Sequence, residues 1–270
     1  HPLAKILLLV FVCSPMLTAM TNGEPVAYGM YVIQGLGLKE GLSMMVQNVL
    51  LATPMVLAMN FLNTERDQRD VLMALVLGGL VYSLPMLLEV RLSPQLNIWV
   101  YGFFQHTFEQ MMRGDGFRPI VFLYHGLWVA FFAMTSILAA VSMFRGDVTR
   151  GKRSVKFLFA GLYLFAVLVL CKSLASLIYA VVLAPVLLFL STKAQLRVSL
   201  ALVLIAFSYP VLKGNNLVPE RALLQQAAQI SPERAGSLNF RLRMERILLE
   251  RAEQKPVLGW GSFGRNLIYS

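Results

Sequence analysis

Three basic side chains, Arg118, His125 and Lys172, stand at or inside otherwise apolar stretches of this chain. A charge in such surroundings is expensive, so it snorkels to a polar boundary, finds a partner or serves a function. Lys172 lies between two apolar runs, where snorkelling accounts for it and Ser173 and Ser176 would satisfy nearby carbonyl groups. His125 falls about two turns into a further apolar run, where a polar ring needs a partner. It reads either as a core hydrogen-bonding group or as part of an outward-facing cavity. Arg118 immediately precedes Pro119 and follows Gly116–Phe117. Proline is favoured in a first helical turn, so this arginine would be held where the chain enters a helix. Its planar fork could grip phosphate through paired hydrogen bonds.

A second group of arginines, Arg241, Arg243 and Arg246, lies near the C-terminal end. Periodicity predicts a helix over Leu238–Gln254, with Phe240, Met244, Ile247 and Leu248 on its apolar face. Ser237 is a candidate N-cap and Pro256 a stop. Arg241 with Glu245, and Arg246 with Glu250, have the spacing of surface ion pairs. Each arginine alone is compatible with a solvated or interfacial side chain, but two arginine-bearing segments on one side of a membrane favour an anionic substrate. Gly259, Gly261 and Gly264 follow, yet GWGSFG is no dinucleotide fingerprint, since it succeeds a helix and no strand precedes it. Cys13 and Cys171 sit at different depths in apolar runs and read as small buried hydrophobes. No Asp/Glu cluster recommends a metal, and no cofactor is expected.

The elements that position these residues are apolar helices. Hydrophobic residues make up 57% of the 270 and charged residues 14%, too apolar for a water-facing surface. Mean hydropathy is +0.64. Apolar runs near Pro2–Thr18, Leu42–Leu62, Val71–Leu88, Ile120–Phe144, Phe157–Leu170, Leu174–Leu190 and Val198–Leu212 are close to the roughly 20 residues that cross a bilayer. The expected fold is an all-α polytopic transmembrane helix bundle of about seven spans over 1–213, with the start of a large outer loop over 214–270. Pro54, Pro85, Pro185 and Pro210 would kink spans, a feature of transporters and of large bundles alike.

The net charge of +10 is placed to set topology rather than to bind nucleic acid. Arg145, Arg150, Lys152, Arg153 and Lys156 share one short loop with Asp147, and Lys193 and Arg197 mark another. Both would face the cytoplasm, with anionic lipid contact as a minor addition. Glu89–Arg118 and Lys213–Ser270 then face outward. Within the first, Ile98–Met112 reads as a weakly amphipathic patch with Trp99, Phe103, Phe104 and Phe108 on one side, and Asp115–Gly116 as a turn.

GFRPIVFLYHGLWVAFF (116–132) resembles the segment of O-antigen ligases and Wzy-type polysaccharide polymerases in which an Arg-Pro pair precedes a transmembrane helix. SLNFRLRMERILLERAEQKPVLGWGSFGRN (237–266) resembles their large periplasmic loop, where an arginine-opened helix runs to a proline and a glycine turn. CKSLAS (171–176) is a weaker match to the family's basic outer hairpin. The resemblance implies a multi-pass enzyme of the bacterial inner membrane with a periplasmic active face. Arg118 and Arg241 would be the motif arginines that hold the pyrophosphate of an undecaprenyl-linked oligosaccharide. Lys172, Arg243, Arg246 and His125 would contribute to substrate binding. The family commonly has Trp four residues past the loop arginine, where this chain has Glu245, so Arg243 stays open as the alternative. The family's catalytic histidine lies beyond its glycine turn, and here such a base would lie past Ser270, the chain reading as a portion of a longer protein.

The implied reaction transfers a glycan from the lipid pyrophosphate to a sugar hydroxyl, either on another lipid-linked repeat or on lipid A–core. Polymerisation is favoured over ligation because nothing here marks a lipid A–core docking surface. Membrane lipids, a flippase and a chain-length regulator are the partners this implies, and nucleic acid is not. The alternatives are a polysaccharide or lipid transporter, or a non-catalytic membrane subunit of a glycan assembly complex.

Overall fold

The structure is a computed structural model that describes residues 2–114, 116–152, 155–230 and 232–267, with only the backbone described for Ile230, Glu233 and Arg234. Asp115 of the expected turn and Arg153 of the basic loop lie outside the described residues. Among the described residues helix accounts for 73%, and the strands form two short hairpins, so the fold is all-α. In chain order the elements are α1 (Pro2–Met20), β1 (Val26–Tyr28), β2 (Tyr31–Ile33), α2 (Leu38–Phe61) and α3 (Glu65–Leu92). Then come α4 (Leu96–Tyr101), a 3-10 turn (Phe108–Met111), β3 (Met112–Arg113), β4 (Gly116–Phe117) and α5 (Gly126–Thr149). The chain continues through α6 (Lys156–Leu170), α7 (Leu174–Phe189), α8 (Thr192–Gly214), α9 (Glu220–Ile230) and α10 (Pro232–Glu253).

All seven apolar runs are helical over most of their length. Five of the helices, α1, α2, α3, α5 and α8, are long and apolar enough to cross a membrane, while α6 and α7 are shorter apolar helices. Large apolar side chains cover their outward faces, including Leu7, Leu50, Val81 and Ile205 at 60%, 65%, 69% and 62% exposure. The expected prolines lie inside α2, α3, α7 and α8 as Pro54, Pro85, Pro185 and Pro210, and Pro15 lies inside α1.

The chain divides into two compact units, one of residues 62–201 and the other of residues 1–61 with 202–270. In the first, α5 packs against α3, α6 and α7. Small residues allow that approach. A Cβ on Gly79 of α3 would stand 2.6 Å from the Ser136 side chain of α5, and one on Gly161 of α6 would stand 3.6 Å from Ala140. Without side chains between them the backbones come close enough for dispersion contact along the helices. Met86, Val129, Ala133, Ile137, Leu164 and Leu168 fill the centre of this core. α3 begins at a capping box in which Thr64 and Asp67 bond each other's backbone N–H, the reciprocal arrangement that satisfies two helix-end donors.

In the second unit α1 and α2 pair, joined through the β1–β2 hairpin, and α9 packs on α10. α10 starts at Pro232, earlier than the expected Leu238, so Ser237 is inside the helix rather than its cap. Proline suits a first helical turn because its missing N–H would have no intrahelical partner there.

Two other expectations need correction. The fourth apolar run does not open as a helix: residues 119–125 are irregular, α5 starts at Gly126, and His125 is its N-cap. The Ile98–Met112 patch is not one amphipathic element but α4 and a 3-10 turn separated by Gly102 in the left-handed region at φ 80°.

Candidate functional site

Residues 119–125 are the support of the site, and a buried carboxylate organises them. Glu89, in the last turns of α3, is 1% exposed. Its Oε2 accepts the backbone N–H groups of Ile120 at 2.8 Å and Val121 at 2.7 Å, and Oε1 that of Leu96 at 3.0 Å. Tyr82 Oη accepts the N–H of Phe122 at 3.1 Å. Gln105 Nε2 donates to the carbonyls of Val121 at 2.8 Å and Leu123 at 3.1 Å. A segment buried at Pro119–Val121 and without helical bonds needs such partners, and here side chains replace the helix.

Arg118 opens this segment. Its N–H donates to the Met111 carbonyl at 2.8 Å, continuing the β3–β4 hairpin. The side chain is buried, at 7% exposure, and Nη2 donates to the Lys172 carbonyl at 3.1 Å. A Cβ on Gly126 would lie 2.5 Å from Arg118 Cδ, so the glycine at the start of α5 makes room for the arginine stem. Lys172, in the turn between α6 and α7 with φ 50°, donates from Nζ to the Arg113 carbonyl at 3.0 Å. Gly116 makes room for that ammonium, since a Cβ there would come within 2.7 Å of it. Arg118 and Lys172, 54 residues apart in sequence, thus meet at one end of the α3–α5–α6–α7 bundle, with Arg113 beside them.

His125 borders this basic cluster. Its Nδ1 accepts the Leu127 N–H at 2.9 Å, Nε2 is 3.5 Å from Gln110 Oε1, and its ring packs edge-on against His106 at 4.6 Å. It is a capping residue at the bundle's end, not a side chain two turns inside a span. From the first turn of α5 onward runs an apolar groove of about 670 Å³, lined by Tyr82, Leu123, Leu127, Trp128 and Phe131.

Arg241, Arg243 and Arg246 belong to the other unit and have different surroundings. Arg241 and Arg243 are exposed on α10. Arg246 is committed to an ion pair, its Nη2 donating to Glu220 Oε2 at 2.7 Å instead of pairing with Glu250. Lys213, 4% exposed at the end of α8, bonds the other Glu220 oxygen and lies 3.6 Å from Glu245. Tyr209 donates to Glu245 at 2.8 Å. The Lys213 ammonium, with Arg246 close by, holds the Glu220 carboxyl below its ordinary range. This network explains the acid at position 245: Tyr209 and Lys213 of α8 require it, and it does not pair with Arg241 as the spacing predicted. A polar cavity of about 390 Å³ adjoins it, lined by Lys213, Asn216, Glu220, Arg246, Glu250 and Glu253.

Among the described residues no three His, Cys, Asp or Glu side chains gather as a metal shell. Cys13 and Cys171 are free thiols. Sequence reasoning missed Glu89, Gln105 and Arg113. Glu89 carried a signal, because an acid at the end of an apolar run needs a partner. Gln105 and Arg113 carried none, since their roles depend on loop and hairpin geometry. Compared with protein-family models, with curated proteins and with solved structures, the chain finds no match.

Proposed function

We propose that the chain is a multi-pass protein of the bacterial cytoplasmic membrane and a glycosyltransferase that polymerises undecaprenyl-pyrophosphate-linked glycan at the periplasmic face. The observation that carries this reading is the convergence of Arg118 and Lys172 at one end of an apolar helix bundle. A lipid pyrophosphate is an amphiphile, with an anionic head for such a pole and an apolar tail for the surroundings of the helices. The adjoining apolar groove is compatible with that tail. In the other unit, Arg241 and Arg243 are both exposed, and on the family resemblance either fits the motif position. Arg246 is reassigned in this proposal from substrate contact to support of α10, because Glu220 occupies it.

In the reaction Arg118 and Lys172 would hold the pyrophosphate and favour the charge that develops as the anomeric C–O bond breaks. A base deprotonates the acceptor hydroxyl. His125 is a poor candidate, since its Nδ1 is engaged as the α5 cap. Prolines inside five expected spans support the transporter alternative only weakly, since large bundles carry them too, and Glu89, buried at the end of α3, has both oxygens filled by backbone N–H groups. Such a carboxylate is a scaffold rather than an ion carrier.

Deleting the gene and sizing surface glycans tests the reading. Loss of long chains with single repeats still attached is the expected result. Lipid-linked long polymer left untransferred to the core would assign ligation instead, and an unchanged glycan distribution would reject glycan transfer.

A further inference from the structure

A dense polar contact of the 1–61 and 202–270 unit lies outside every site residue nominated from the sequence. Arg265, just past the glycine turn, is fully buried at 0% exposure. Its Nη1 donates to the carbonyls of Glu24 at 2.7 Å and Gln34 at 3.2 Å, and Nη2 donates to Asn22 Oδ1 at 3.4 Å. One guanidinium therefore gathers three points of the connection between α1 and α2. Asn22, also at 0% exposure, donates to the carbonyls of Thr18 at 2.9 Å and Gly259 at 3.0 Å. Lys255 Nζ donates to Asn22 Oδ1 at 2.9 Å and to Glu24 Oε1 at 2.7 Å, holding the Glu24 carboxyl below its ordinary range.

Arg251, on the last turn of α10, completes the arrangement. Its guanidinium lies 3.2 Å from the Trp260 ring centre and 5.2 Å from that of Tyr28, and it donates to the Arg265 carbonyl at 3.3 Å. The glycines serve geometry here. Gly259, Gly261 and Gly264 have φ of 67°, 78° and 84°, and a Cβ on Gly261 would stand 2.5 Å from Leu36 Cδ1. The turn thus closes directly over the α1–α2 connection, and only glycine allows that approach.

α10 is consequently fixed at two places: through Glu245 and Arg246 to Tyr209, Lys213 and Glu220, and through Arg251 and Lys255 to the α1–α2 connection. Two anchors about one and a half turns apart define both the axis and the rotation of a helix. The directions of exposed Arg241 and Arg243 follow from them. We infer that Arg265 is a positioning residue, the centre of a clasp that sets α10 and so presents its exposed arginines to an anionic substrate. This rests on the proposed glycan transfer for the identity of that substrate, while the clasp itself stands on its own contacts.

Hydrogen exchange on the full-length protein in lipid nanodiscs, combined with product formation, tests it. Arg265→Ala is expected to speed exchange at least tenfold both in 259–267 and at the Leu36 N–H, which bonds the Asn22 carbonyl across the clasp at 2.8 Å. Arg265→Lys restores part of the protection. In activity, Arg265→Ala combined with Arg241→Lys should form no less product than the lower of the two single variants, since one acts through the other. Unchanged exchange at Leu36 would overturn the clasp, and multiplicative losses would overturn the positioning role. Lys255→Met opens only the partly exposed half and is expected to give the same exchange pattern more weakly, including where Arg265→Ala fails to accumulate. If the wild-type protein transfers no glycan, the proposed function fails while the exchange result still decides the clasp.

Discussion

Replacing Glu89 with alanine removes the acceptor on which residues 119–125 depend. Ile120 and Val121 are 0% exposed, and their N–H groups reach Glu89 Oε2 at 2.8 and 2.7 Å. Each stranded buried donor costs about 1–3 kcal/mol, so the pair costs about 2–6 kcal/mol. The Leu96 N–H adds less, because that bond is only partly buried. Glu89→Gln should fall between wild type and alanine: one amide oxygen can still accept from Ile120 and Val121, but its NH₂ then faces the Leu96 donor. Glu65→Ala is the control. Its side chain is 92% exposed and pairs with Arg150 at 3.4 Å, so the loss should stay within about 1 kcal/mol. Denaturant titration in mixed micelles, followed by Trp fluorescence, reads the differences. Glu89→Ala within about 0.5 kcal/mol of wild type would refute the assignment of this carboxylate as the anchor, since that is the range of ordinary surface changes.

Three further outcomes follow from the packing and charges. Gly79→Ala is expected to destabilise by about 1–3 kcal/mol through overpacking against Ser136, whose side chain would lie 2.6 Å from the new methyl, and Ser136→Gly should restore most of it in the same titration. Arg69→Ala should cost about 3 kcal/mol, because it takes its cation from the Asp147 carboxylate, which is 3% exposed and lies 2.9 Å from Arg69, while Arg69→Ala together with Asp147→Ala should cost less than Arg69→Ala alone. Glu220 has a folded-state carboxyl below its reference value of 4.5, so its stabilising contribution is present above that value and is lost as pH falls through the lower folded one. Hydrogen-exchange protection at the α8–α9–α10 junction, corrected for intrinsic exchange, should therefore hold from neutral pH to about 5 and decline below 4.5. Glu220→Gln should show lower protection without that decline.

Sequence periodicity located the helices because apolar surface has to be covered, whether by lipid or by other helices, and long apolar runs announce that need. It failed at Ile120–His125, where the same apolar composition continues but Glu89, Tyr82 and Gln105 take the backbone bonds a helix would have made. Nothing local distinguishes such a segment from a helix start. Arg118 and Lys172 were legible as exceptions to an apolar background, and their meeting was not, because it depends on how α6 and α7 return the chain to the α5 end. The ion pairs of α10 were misread for a related reason: spacing within one helix predicts only intrahelical partners, and Glu220, Tyr209 and Lys213 arrive from other elements. Arg265 had no sequence signal. Its burial comes from the glycine turn folding back over the α1–α2 connection.

Release of undecaprenyl pyrophosphate by the full-length protein in proteoliposomes, supplied with lipid-linked oligosaccharide alone, tests the proposed chemistry most directly. Pyrophosphate lipid is expected to appear in step with lengthening of the glycan, without nucleotide. Arg118→Ala and Arg241→Ala should each lower the rate at least a hundredfold while the protein stays folded, with Arg243→Ala as the comparison that fixes the motif position. Lysine at 118 or 241 should rescue only partly, because an ammonium cannot reproduce the two-pronged contact. Lengthening at the wild-type rate in both alanine variants would contradict the phosphate role of these arginines, and no release of pyrophosphate lipid by wild type would contradict glycan transfer itself.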